Sequence, residues 1–166
     1  MTVTKLRQYQ ILRVILFSAG VVLFSMISVP SASAQAIRLR GTANPTINIT
    51  TGIAGGSMVS VVDISSQVRY RRQAAIAKMT VQATCPSQSF HLAVVATGVT
   101  RGVAAPQVDL VDGMLAVDFI TNIPRTGAWT TATPTLSYTA SAEFSDGNSV
   151  EEGDDVYTVI YTLQVQ

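Results

Sequence analysis

Apolar and polar residues alternate with a period of two along most of this chain, and one continuous apolar run near its start breaks that pattern. Alternation of that period puts one row of side chains on each face of a β-strand. It predicts strands over residues 46–51, 58–64, 77–84, 90–99, 107–111, 114–120, 135–144 and 156–165, with a shorter piece at 68–72. Stripes of helical period are absent, and only 73–77 reads as a helical turn.

Three connections carry the expected topology. Asp112-Gly113 separates Val108 and Leu110 from Leu115, Val117 and Phe119. An Asp-Gly pair suits a two-residue type I′ hairpin, whose central residues both need positive φ. That hairpin would set Leu110 opposite Leu115 and Val108 opposite Val117, with Asp109 and Asp118 toward water. Pro86-Ser87-Gln88-Ser89 reads as the turn of a second hairpin, with Cys85 at a strand end and His91 on the polar face. The last two strands carry the apolar rows Leu136, Tyr138, Ala140, Ala142, Phe144 and Tyr157, Val159, Tyr161, Leu163, Val165. They read as neighbours in one antiparallel sheet. Eight or nine one-faced strands must bury those faces against one another. The expected fold is all-β, a two-sheet antiparallel β-sandwich of immunoglobulin-like character. A transmembrane barrel needs the same alternation, but aromatics are too sparse for two girdles and several runs are too short to span.

The apolar run at 14–29 follows Lys5, Arg7 and Arg13 and precedes Pro30 and the small residues Ala32-Ser33-Ala34-Gln35-Ala36. A basic start, a short apolar core and an A-x-A ending form a secretory signal peptide, cleaved after Ala34 or Ala36. A retained anchor is the weaker reading, since the run is near the lower limit of about 17–25 residues for a spanning helix. The expected organisation is a signal-peptide helix over 1–36 and one domain over 37–166, exported to the periplasm, the cell surface or the medium.

Without Lys5, Arg7 and Arg13, the 11 basic residues become 8 against 10 acidic, a net charge of −2. That balance gives no electrostatic reason to expect nucleic acid. Cys85 is the one cysteine and His91 the one histidine, so neither a disulfide framework nor a cysteine–histidine nucleophile is indicated. Cys85 is expected as a small buried hydrophobe, with an intermolecular disulfide as the sharper alternative.

No catalytic residue, cofactor or metal site is expected, and the protein reads as a non-enzyme. The acidic stretch Glu143, Asp146, Glu151, Glu152, Asp154 and Asp155 could offer hard oxygen ligands to Ca²⁺. Its spacing puts Val150 where an EF-hand loop needs a ligand, and a solvated connection explains the run better. A pair of these carboxylates could also be imagined hydrolysing a glycoside, but no aromatic platform for a sugar accompanies them. Arg69, Arg71 and Arg72 read as a charged edge strand that discourages aggregation, or as a contact for phosphate, polysaccharide or a protein partner. Asn48-Ile49-Thr50 fits a glycosylation sequon. Trp129 fits a core plug or an exposed contact equally well. Arg38, Arg40, Arg69, Arg71, Arg72 and Lys78 lie early in the domain and the acidic stretch late. If the fold places them at opposite poles, copies would attract head to tail, a heterologous contact that propagates.

The apparent leader is followed by the extended segment Ile37-Arg38-Leu39-Arg40-Gly41-Thr42-Ala43, the final strand alternates Tyr157, Val159, Tyr161, Leu163, Val165, and Gly153 stands fourteenth from the C-terminus. In these features the chain resembles the secreted β-sandwich subunits of bacterial surface fibres, the chaperone–usher pilins and spore-coat-U-type proteins. It departs from them in having one cysteine rather than a pair, and Val165 where a penultimate tyrosine is usual. The resemblance implies a fimbrial role with self-association by strand addition, in which Ile37 and Leu39 would dock on a neighbour. The same segment could instead be its own domain's first strand. The expectation is an exported structural or adhesive surface protein, meeting the membrane only during export. The alternative is a monomeric module binding a glycan or another surface protein, and a periplasmic hydrolase comes third.

Overall fold

A computed structural model describes residues 36–49, 59–72, 76–125, 128–129, 133–142 and 155–166. Residues 1–35 of the expected leader, most of the acidic stretch, and residues 73–75 of the expected helical turn lie outside these, while Ala36, the last residue of that expected leader, begins the first strand. Among the described residues, nine strands form two antiparallel sheets. They are β1 (Ala36–Gly41), β2 (Val59–Arg71), β3 (Ala77–Thr84), β4 (His91–Thr97), β5 (Val103–Ala104), β6 (Val108–Leu110), β7 (Val117–Ile123), β8 (Thr135–Ala142) and β9 (Thr158–Val165). One sheet has the order β1-β2-β8-β4-β6 and the other β5-β7-β3-β9. The protein is a β-sandwich.

The alternating rows fill the space between the sheets. Ala77, Met79, Val81 and Ala83 of β3 face Leu136, Tyr138 and Ala140 of β8, Leu92 and Val94 of β4, and Val68 and Tyr70 of β2, all within 4 % of full burial. Aliphatic burial at about 25 cal/mol per Å² supplies most of what holds such a core together. The order follows the constant-type immunoglobulin plan, in which A, B, E and D share one sheet and C, F and G the other. Here β1, β2, β8 and β4 take A, B, E and D, while β3 and β9 take C and F. No described strand takes the place of G beyond β9.

The structure corrects all three expected connections. β6 and β7 lie in different sheets, so Asp112-Gly113 carries the chain across the sandwich instead of turning a hairpin. Only Gly113 has positive φ (66°), whereas a type I′ turn needs it at Asp112 too. Leu110 is buried while Leu115 is 86 % exposed, so the expected Leu110–Leu115 pair does not exist. β3 and β4 are likewise in different sheets, with 86–89 as a corner between them. β8 and β9 face each other across the core rather than lying side by side, and their Tyr138 and Tyr161 hydroxyls meet at 2.8 Å. Residues 59–71 form one strand, not two, with a register shift between Asp63 and Ser66. Asp63 Oδ1 accepts hydrogen bonds from the amide and hydroxyl of Ser65 at this shift, at 3.1 and 2.8 Å.

Candidate functional site

Two features of the sandwich surface could take a partner: the outer edge of β9 and the outward face of β1 and β2.

β9 pairs with β3 in an unbroken ladder from Thr84↔Thr158 to Ala77↔Val165. One step further, the Gln166 amide donates to the Ile76 carbonyl at 3.1 Å. Hydrogen-bonded and non-hydrogen-bonded pairs alternate along an antiparallel ladder. Ile76/Gln166 is a bonded pair, so Gln164, Thr162, Ile160 and Thr158 direct their backbone groups at β3. Val159, Tyr161, Leu163 and Val165 therefore turn theirs to the far side, where no described strand lies. The side chains of these four form the inner row, and their cover thins along the strand. Val159 and Tyr161 are buried, Leu163 is half-buried, and Val165 is 54 % exposed. β9 thus presents an unpaired ladder edge beside a row that loses its cover toward the C-terminus.

At the end of the other sheet, β1 lies on its own chain's β2, in the register Ile37↔Tyr70 and Leu39↔Val68. Ile37 and Leu39 pack half-buried against the core cluster. The inward side chains of β2 are Val68 and Tyr70, both fully buried, with the Tyr70 hydroxyl donating to the Arg101 carbonyl at 2.5 Å. Arg69 and Arg71 consequently point outward, beside Arg38 and Arg40 of β1, and Arg38 stands directly opposite Arg69. The guanidinium carbons of Arg38 and Arg71 lie 4.8 and 5.0 Å from the centre of the Trp129 ring. Each such cation–π contact contributes about 0.5–2 kcal/mol and holds the guanidinium plane in place. Arg38, Arg40 and Arg71 make no ion pair with a carboxylate among the described residues, where Lys78 bonds Asp118 at 2.7 Å. Arg72, by contrast, is buried just past β2.

Of the acidic residues considered for Ca²⁺, Glu143, Asp146, Glu151, Glu152 and Asp154 lie outside the described residues. Asp155 is 2 % exposed, and its Oδ2 accepts from the amides of Ser89 and Phe90, both at 2.8 Å. It is committed to the β3–β4 corner. Nearby, Asp112 Oδ1 accepts from the Cys85 amide at 2.6 Å and Gln88 Oε1 accepts from the Asp112 amide at 2.8 Å. The Tyr157 hydroxyl donates to the Phe90 carbonyl at 2.5 Å. Cys85 is fully buried in this corner, where desolvation and, less strongly, the Asp155 charge push its thiol pKa up. Such a thiol is a poor nucleophile. His91 is exposed, as its alternation predicts. Among the described residues no three metal-ligating side chains cluster.

The Arg38–Trp129–Arg71 stack could not be read from the sequence, because alternation gives faces but not which distant loop lies on them. No family model, curated protein or solved structure matches this chain.

Proposed function

We infer that this chain is an exported, non-enzymatic structural subunit of a surface fibre, and that it assembles by strand addition. The observation that carries this reading is the outer edge of β9. An immunoglobulin-type sheet with a strand in place F and none described in place G offers outward N–H and C=O groups at Val159, Tyr161, Leu163 and Val165. An extended segment laid there would satisfy those groups and cover Leu163 and Val165, which is β-augmentation. Native sandwiches usually blunt such edges with charge, proline or a bulge. β9 carries no charged residue, no proline and no register shift. Because Ile37 and Leu39 are already held on β2, the added strand is a neighbouring subunit's segment that its own sheets do not use.

Leu163→Pro tests this directly. The Leu163 amide points away from β3, so proline removes an edge donor while leaving the β3 ladder bonds in place. Negative-stain microscopy of the purified protein should show fibres, and the variant should remain folded but fail to form them. A protein monomeric at every concentration, or a proline variant that assembles like the unaltered chain, would sink the proposal.

A further inference from the structure

Trp129, the one tryptophan of the chain, gathers two guanidiniums on the outer face of β1 and β2. Their carbons lie 4.8 and 5.0 Å from its ring centre, which keeps Arg38 and Arg71 within about 10 Å of each other. Beyond the ring, neither guanidinium makes a hydrogen bond or an ion pair among the described residues. Arg71 Nε is closed off from solvent without a hydrogen-bond partner, so what Arg71 offers outward is its Nη end. Arg38 is exposed. A guanidinium held on an aromatic ring keeps less rotamer freedom than an ordinary surface arginine, so its planar fork is aimed before a ligand arrives.

The described carboxylates are placed elsewhere. Asp63 accepts from Ser65, Asp118 bonds Lys78 on the other sheet, and Asp112 and Asp155 take amides of the β3–β4 corner. Asp109 does face outward on the same sheet, but on β6 at its opposite edge, three strand spacings or about 14 Å from β2. The field at Trp129 therefore favours an anion. The kind of anion follows from what surrounds the ring. The backbones of β1 and β2 are paired with each other here, so an added peptide strand finds no ladder on this face, which is read through side chains alone. Trp129 is half-buried against its arginines instead of standing clear of the surface, as an indole that enters a bilayer must. Planar forks that take carboxylate or sulfate end-on, beside a partly exposed indole, suit an acidic sugar.

We propose that Arg38, Arg71 and Trp129 form a binding site for an acidic polysaccharide, one that carries carboxylate or sulfate groups. The two guanidiniums take the acidic groups in charge-assisted hydrogen bonds, and the exposed part of the indole packs on the sugar. This site lies apart from the β9 edge and needs no assembly, so a single copy of the chain binds. In a fibre the site recurs with every subunit, and a polymer that spans several of them is held by avidity.

Trp129 is also the reporter, because no other tryptophan contributes to the fluorescence. Titration with oligogalacturonate, which carries carboxylates, and with sulfated dextran oligomers should change its emission saturably, while neutral dextran oligomers should leave it unaltered. A response to one of the two acidic sugars alone supports the site and names its acidic group. Arg38→Ala, at an exposed position, should weaken binding at least about tenfold, and Arg38→Lys should not restore it, since lysine keeps the charge and lacks the fork. Arg71→Lys, compared at an unchanged urea midpoint, should lose as much. Arg40→Ala removes the same charge away from the ring and should weaken binding less than about threefold. No response to either acidic sugar overturns the site. So does lysine at 38 binding as well as arginine, or Arg40→Ala costing as much as Arg38→Ala, either of which would make the attraction a diffuse charge effect. An equal response to polyglutamate, or to vesicles of phosphatidylglycerol, overturns the assignment to a sugar in favour of an acidic peptide or a membrane.

Discussion

The inter-sheet tyrosine pair gives the sharpest check on how β8 and β9 are arranged. Tyr138 and Tyr161 are 4 % and 6 % exposed, and their hydroxyls are 2.8 Å apart. Among the described residues, each hydroxyl's only hydrogen-bond partner is the other. Tyr138→Phe leaves the Tyr161 hydroxyl buried with nothing to bond, as Tyr161→Phe does for Tyr138. Each single change should cost about 1–3 kcal/mol. The double change removes both polar atoms, keeps both rings and preserves the Phe119 contact of ring 161, whose centroids are 5.4 Å apart. It should cost less than about 1 kcal/mol, making the double variant more stable than either single one.

Urea unfolding reads this out. With a slope of about 2 kcal/mol per M, each single variant should lower the midpoint by about 1 M at unchanged slope, and the double variant should recover most of it. Additive losses would refute the pairing. They would mean that each hydroxyl has its own partner, as it would if β8 and β9 were neighbours in one sheet with their tyrosines pointing independently.

Four further outcomes follow from the same packing. Burial pushes the Tyr70 and Tyr138 hydroxyls up to about 12, offset in part by Arg101 and by the Tyr161 hydroxyl respectively. The folded state then keeps protons that the unfolded chain loses near pH 10, so stability is intact below pH 10 and falls from there to about pH 12. The loss is about 2–3 kcal/mol per tyrosine, checked by urea midpoints across that range alongside tyrosinate absorbance. Asp155→Ala strips the acceptor from two corner amides and should cost about 3 kcal/mol by denaturant unfolding, with Asp155→Asn losing roughly half as much. Gly41 has φ +72°, and a Cβ there would lie 2.0 Å from the Ser65 carbonyl oxygen; Gly98 has φ +70° and open space. Gly98→Ala should therefore cost about 1 kcal/mol and Gly41→Ala several times more, compared by thermal midpoint. Cys85 should resist alkylation in the native protein and react once urea unfolds it; rapid native labelling would contradict its burial.

The strands were legible and their partners were not, for a reason visible in β8 and β9. Alternation in Leu136, Tyr138, Ala140 and in Val159, Tyr161, Leu163 says that each strand has one wet face and one dry one. Two dry faces can meet side by side within a sheet or face to face between sheets, and the pattern is the same in either case. Separation along the chain does not help, because a Greek-key sandwich sends consecutive strands to opposite sheets as readily as it pairs them. β3 matched its expected span to the residue because every inward position is apolar and its ladder with β9 is unbroken over the whole strand. β7 did not. Its register shifts against β3 bury Phe119 and Ile120 side by side, which breaks the period on which the expectation rested.

The two corners show what decides between the arrangements. Asp112-Gly113 has the composition of a hairpin turn, and Pro86 to Ser89 that of another. A hairpin closes on its own strands, but these loops bond to each other and to the start of β9. Asp112 takes the Cys85 amide, Gln88 takes the Asp112 amide, and Asp155 takes the amides of Ser89 and Phe90. Each bond joins segments 24 to 66 residues apart and satisfies a backbone donor of the corner. A buried carboxylate at Asp155 is tolerable only with such donors around it, so it fixes the corner as firmly as it depends on it. Local turn propensity is worth about 1 kcal/mol or less, and several charge-assisted bonds at a closed corner outweigh it. The open edge of β9 follows from this arrangement. With Asp155, three residues before it, tied into the corner, β9 pairs with β3 on one side, and no described strand lies on the other.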